Sequence, residues 1–72
     1  MVTQKFWMGS VGTIDDFGDA YQDVMYDGKT KTGPWACMTA KSWKKHGVGR
    51  TGTGLAQKYH KQADGRWLKV EG

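Results

Sequence analysis

Apolar residues fall in short runs along this chain, divided by glycines and polar stretches. That spacing suits strands and turns better than long helices. Phe6, Trp7 and Met8 stand in a row and predict an opening strand over 5–9. A helix capped at Thr13 competes with a turn in the next stretch, and Gly18 with the β-like residues after it favours the turn. Tyr21, Val24 and Tyr26 then predict a strand over 21–27. Asp27-Gly28 and the polar residues to Thr32 read as a hairpin loop, returning into a strand from Pro34 to Met38. A fourth strand is expected from Leu55 to Gln62. Ala63-Asp64-Gly65 is a turn signal, and the alternation from Arg66 to Val70 completes a second hairpin.

Between the hairpins lies one helical stretch. Thr39 is a natural N-cap, because its hydroxyl can accept from the N–H groups of the following turn. Ala40 to His46 makes about two turns, with Lys44, Lys45 and His46 where the helix dipole favours positive charge. Trp43 is the apolar anchor, and Gly47 fits the residue after the helix end. The fold class is therefore α+β: a small β-rich domain of two antiparallel hairpins with one short helix, formed by residues 1–72 as a single domain.

Length and composition narrow the chemistry. A chain of 72 residues buries only about 60% of its unfolded surface. Its single cysteine excludes an internal disulfide. Cys37, His46 and His60 have no recognised ligand spacing, so no metal and no other cofactor is expected. Cys37 reads as a small buried residue. No apolar run approaches the ~20 residues of a membrane span, and the first ten residues lack a signal pattern, which points to the cytoplasm and to no membrane partner.

Charge is unevenly placed. Residues 1–36 carry three lysines against five aspartates, a net of −2, whereas residues 37–72 carry eight Lys or Arg against two acids, a net of +6. The basic half suits an anionic partner, and a merely solvated face is the competing explanation. The aspartates at 15, 16, 19 and 23 fit no EF-hand and read as turn formers and solubilising charges. Gly47, Gly49 and Gly52 match G-x-G-x-x-G, but the dinucleotide fingerprint needs a strand before it and a helix after, and here a helix comes first. What survives is a loop whose N–H groups, beside Arg50, could meet phosphates.

The segments Y-D-G-K-T-K-T-G-P-W-A-C-M at 26–38, H-G-V-G at 46–49 and G-T-G-L-A-Q-K-Y at 52–59 resemble a family of small, often phage-encoded proteins of zinc-ribbon or treble-clef-like type. Members typically carry one Cys-x-x-Cys-Gly knuckle before the first strand and a second Cys-x-x-Cys just after the G-P-W-A strand. Lining up Gly18 places Ile14 and Phe17 at the first pair, and Thr39 and Ser42 fall at the second. The resemblance thus implies a metal-free descendant of a zinc-ribbon scaffold. Ile14 and Phe17 are expected to fill the vacated knuckle, helped by Phe6, Trp7 and Trp67, because a structural zinc contributes about 10–16 kcal/mol and two side chains fall short of it. It implies a phage-like context and no reaction.

Three functions follow as expectations. The first is a non-enzymatic, phage-type accessory protein that binds nucleic acid, DNA foremost, through Lys41, Lys44, Lys45, Arg50, Lys58, Tyr59, Lys61, Arg66 and Lys69. Basic grooves with aromatic platforms suit single strands, and a basic hairpin or short helix suits duplex phosphates. The second is a regulator or inhibitor docking on a bacterial host protein, since Trp, Tyr, Met and Arg favour interface hot spots. The third is a minor virion or assembly component. Enzyme activity is not expected: Ser42 and His46 stand four apart on the helix without an evident orienting acid.

Overall fold

A computed structural model describes residues 4–72. Four strands and one helix follow in the order β1 (Val24–Lys29), β2 (Trp35–Met38), α1 (Ala40–His46), β3 (Ala56–Lys61) and β4 (Trp67–Glu71). They form one antiparallel sheet ordered β2-β1-β3-β4, so the two hairpins are joined along β1 and β3. The expected α+β class, two antiparallel hairpins with one short helix, is what the chain adopts, as a four-stranded sheet.

Several boundaries move. The opening strand over 5–9 shrinks to one bridge, Phe6 to Leu68, flanked by Trp7 N–H to Trp67 C=O at 2.9 Å and Lys69 N–H to Lys5 C=O at 2.8 Å. Its three consecutive apolar residues do not alternate, which is poor material for a strand with one wet face. β1 begins at Val24 rather than Tyr21, and Asp27-Gly28 lies inside it rather than in the loop. Gly28 is there because β3 passes close: a Cβ on it would stand 2.3 Å from that of Ala56. The chain reverses over Thr30–Pro34 instead, with Thr30 N–H to Pro34 C=O at 2.9 Å and Gly33 at φ +112°.

The helix forms as read. Thr39 accepts from the Ser42 N–H at 3.1 Å, and α1 ends where Gly47 N–H reaches Trp43 C=O at 2.8 Å. Gly47, however, is extended (φ −75°, ψ 163°), not left-handed. Space is what demands glycine here, since a Cβ would fall 2.1 Å from the Trp43 ring.

Alternation gives the sheet two unlike faces. Met25, Tyr59 and Trp67 share one and are covered by Trp7, Val11 and Tyr21. Trp7 meets Tyr59 edge-on at 5.4 Å, and Tyr21 meets Trp67 at 5.8 Å. The opposite face carries Tyr26, with Met38 and Ala56 fully buried beside it, and Trp43 of α1 stacks on Tyr26 at 4.6 Å and 3°.

The loop before β1 departs most from expectation. Ile14 and Phe17 are 57% and 44% exposed, so they fill no knuckle. Asp15 does the joining. Its carboxylate, buried, accepts from the N–H groups of Phe17 and Asp19 and, across the fold, from Thr39 N–H at 2.9 Å. Asp16 exchanges two bonds with the backbone of Cys37, and Asp19 accepts from the Thr39 hydroxyl at 2.5 Å. Loop donors that apolar side chains could not satisfy are met by carboxylates. Trp7 and Trp67 do join the core, while Phe6 lies under the Arg66 guanidinium at 4.1 Å.

Candidate nucleic-acid interface

The nine residues expected to bind nucleic acid do not converge. Tyr59 is only 8% exposed and belongs to the core, so it offers no ring to a base. Burial, then the nearby charge of Asp27, pushes its phenol above the ordinary value. Lys61 and Lys69 share its face of the sheet, and Lys61 lies over the buried Trp67 ring at 6.0 Å. Lys58 points to the other face, beside Tyr26 and 3.9 Å from Glu71. Arg66 is held by Asp64 at 2.7 Å. The backbone and side-chain hydrogen bonds from Arg66 hold the Asp64 carboxyl below its ordinary value.

Arg50 is exposed in the loop between α1 and β3. The glycine N–H groups there are not all free for phosphate: Gly52 N–H is bonded to Ala56 C=O at 2.8 Å. That loop folds back on the start of β3 and forms no cradle at Gly52.

Lys41, Lys44 and Lys45 remain, all exposed on α1. None of the three is in an ion pair among the described residues. Lys41 and Lys45 border a feature that the linear sequence does not reveal. Phe17 stacks on His46 with ring centroids 4.1 Å apart and planes 10° from parallel. Two shallow hollows flank this stack. Lys41, Ser42, Lys45 and Asp19 line one, and Lys31, Thr30, Thr32, Pro34 and Lys45 line the other. Lys31 arrives because the β1–β2 turn docks on the end of α1, with Lys31 N–H to His46 C=O at 2.8 Å and a bridge between Thr30 and Gly47.

Ser42 is buried against Asp15 rather than presented to His46. Burial tends to raise the Asp15 carboxyl, but the Ser42 hydroxyl and the N–H groups of Thr39, Asp19 and Phe17 outweigh it and hold it below the ordinary value. Cys37 is half-buried, and burial together with Asp27 pushes its thiol up to about 11, so it stays protonated at neutral pH. Among the described residues, no three His, Cys, Asp or Glu are grouped to hold a metal ion. No helix there is long and apolar enough to cross a membrane.

Sequence reasoning missed Phe17, His46 and Lys31 as partners. They lie 14 and more residues apart, and only the docking of two loops on α1 unites them. No family model matches the chain, and no curated protein or solved structure is similar to it.

Proposed function

We propose that this chain is a small non-enzymatic accessory protein, of the kind phages encode, that binds nucleic acid through the outer face of α1. One observation carries the reading: three lysines, at 31, 41 and 45, gather around an exposed aromatic stack, with Lys44 exposed on the same helix and none of the four in an ion pair among the described residues. Phosphates supply the charge these lysines lack, and affinity of that kind is salt-dependent. Asp19 is the one carboxylate in the groove, and it is occupied by the Thr39 hydroxyl. The test is fluorescence anisotropy with a labelled random oligonucleotide across a salt series. Log affinity should fall linearly with log salt. Replacing Lys41, Lys44 and Lys45 by alanine should flatten the slope by about 2–3, at roughly 0.7–0.9 per phosphate contact. No binding at low salt overturns the reading.

A second reading is a protein-binding regulator or virion component. It is favoured by the sheet face beside α1, where the helix packs on β1 and β2 and leaves Val70 48% exposed on β4. Retention of one host protein by immobilised chain, with nuclease present and lost on Val70→Asp, is the expected result.

The scaffold itself is read as zinc-ribbon-like without its metal. The hydrogen bonds from Thr39 to Asp15 and Asp19 support this, because they join the two loops that paired knuckles would place across an ion. Cysteines at 14, 17, 39 and 42 together should then bind Co(II) with thiolate charge-transfer absorbance. A variant that folds yet stays colourless would count against that ancestry.

A further inference from the structure

We infer that the ligand is unpaired rather than duplex nucleic acid, and that one of its bases stacks on the Phe17–His46 pair while Lys31, Lys41 and Lys45 take the flanking phosphates. This rests on the nucleic-acid reading above and gives it a substrate class.

The stack is built like a platform. His46 takes one face of the Phe17 ring, yet 44% of Phe17 stays open to solvent. An aromatic group normally gains from burial, so a large open ring beside a covering partner has apolar area still to bury. A base is a flat π surface of matching kind, and stacking on protein aromatics tolerates any sequence. Its phosphates leave on either side, and cations wait on both. Lys41 borders one hollow, Lys31 the other, and Lys45 both.

The second exposed aromatic on the opposite flank shows the contrast. Trp35 is 47% exposed, but its indole N–H is bonded to the Asp27 carboxylate at 2.6 Å, and Asp16 is bonded to the backbone of Cys37, two residues on. The polar edge of that ring is thus already taken by a carboxylate. Asp16 and Asp19 also lie near Phe17 and Lys29 pairs opposite Trp35, but of the two open rings Phe17 has three lysines lining the hollows beside it, and the Trp35 ring is bonded directly to a carboxylate.

Duplex bases are already stacked on one another and cannot reach Phe17. A duplex would gain the lysine contacts alone. The experiment therefore compares three ligands of one length under low salt, by anisotropy (a single strand, its duplex, and an abasic strand with sugar and phosphate only), and repeats the single strand with Phe17→Ala or Phe17→Leu protein. Loss of one stacked base weakens binding about 5- to 150-fold. The abasic strand on the natural protein and the normal strand on either variant should each show that loss, with the salt slope unchanged. Phe17→Leu keeps apolar bulk in the loop without the π face, and the abasic arm needs no variant at all. If the normal and abasic strands and the duplex bind equally well, the inference fails and the charge-only reading stands. If none binds, both fail.

Discussion

On one face of the sheet, Trp7, Val11 and Tyr21 come from the chain before β1 and close over Met25, Tyr59 and Trp67. On the other, a helix of seven residues lays Trp43 on Tyr26 and turns its lysines outward. The first face joins the two ends of the chain through aromatic edges. The second is covered mainly over β1 and β2. Stability and the proposed binding surface are thereby separated. Most of the aromatic cover lies on one side, and the outer face of α1 on the other carries lysines outside any ion pair among the described residues. Substitutions on the two sides should behave differently in kind.

The largest effect belongs to the covered face. Trp67 is 7% exposed, and truncating a buried tryptophan costs about 3–5 kcal/mol. A domain of 72 residues has roughly 4–11 kcal/mol in all at ~0.05–0.15 per residue. Trp67→Ala should therefore remove a large share of the chain's stability and lower its urea midpoint steeply, whereas Trp35→Ala should cost under about 1 kcal/mol. Trp35 lies on the same face beyond the aromatic cover, so equal costs would show that the cover contributes nothing.

Asp15 comes next, because it ties the loop before β1 to the start of α1. Asp15→Asn keeps the shape but loses a charged acceptor of three backbone N–H groups, worth about 1.5–3 kcal/mol. The pH dependence has a fixed sign. The folded carboxyl lies below its ordinary value, so its contribution is complete above the unfolded value, about 3.9, and is lost as pH falls through the folded one. Urea midpoints of the natural chain and the variant should differ from neutral pH down to about 5 and converge in stronger acid. A gap that persists unchanged in strong acid would remove the charge from the explanation.

Gly47→Ala tests the smaller cover. Alanine accepts the backbone angles at this position, so any cost comes from the Trp43 ring, 2.1 Å from the new carbon. Displacing that ring from Tyr26 should cost about 1–3 kcal/mol and change the near-UV circular dichroism. An alanine accepted without either change would show that the stack is loose.

These residues also mark what could be read in advance. The helix was legible because its signals are local: a threonine cap, basic residues in the last turn, and a bounded length. The hairpin from β3 to β4 was legible for the same reason, with Asp64 accepting from Arg66 N–H and Gly65 at φ +89°. Gly28 misled because a turn glycine and a close-approach glycine look alike until Ala56 is seen across the strands. Asp15 misled because its partner Thr39 is 24 residues away, and an aspartate on a wet turn has the same neighbours in sequence as a buried one. Tyr59 and Trp67 were correctly placed on a hairpin, but both lie on its buried face, as does Lys61 opposite Trp67. The site suffered most, since Phe17, His46 and Lys31 meet only through tertiary packing.

The smallest effect sharpens the comparison furthest. In the triple variant, replacing Lys44 and Lys45 with alanine removes favourable charge near the end of α1, a loss of about 0.3–1 kcal/mol per exposed group at low salt, whereas Lys41→Ala removes a cation from the first turn, where the dipole disfavours it. Against it, Lys41 and Lys45 are four apart on the helix, and such like charges cost about 0.2–0.5 kcal/mol. Alanine is also the better helix former at each position. Lowering a net charge of +4 by three relieves further repulsion. The opposing effects nearly cancel, and stability should change by no more than about 0.5 kcal/mol in urea. The same variant should lose most of its affinity for a labelled single strand. Folding indifferent to these lysines, alongside binding that depends on them, is the pattern of groups kept for a partner. A loss above about 1 kcal/mol would instead make them structural, and the division of labour between the two faces would have to be abandoned.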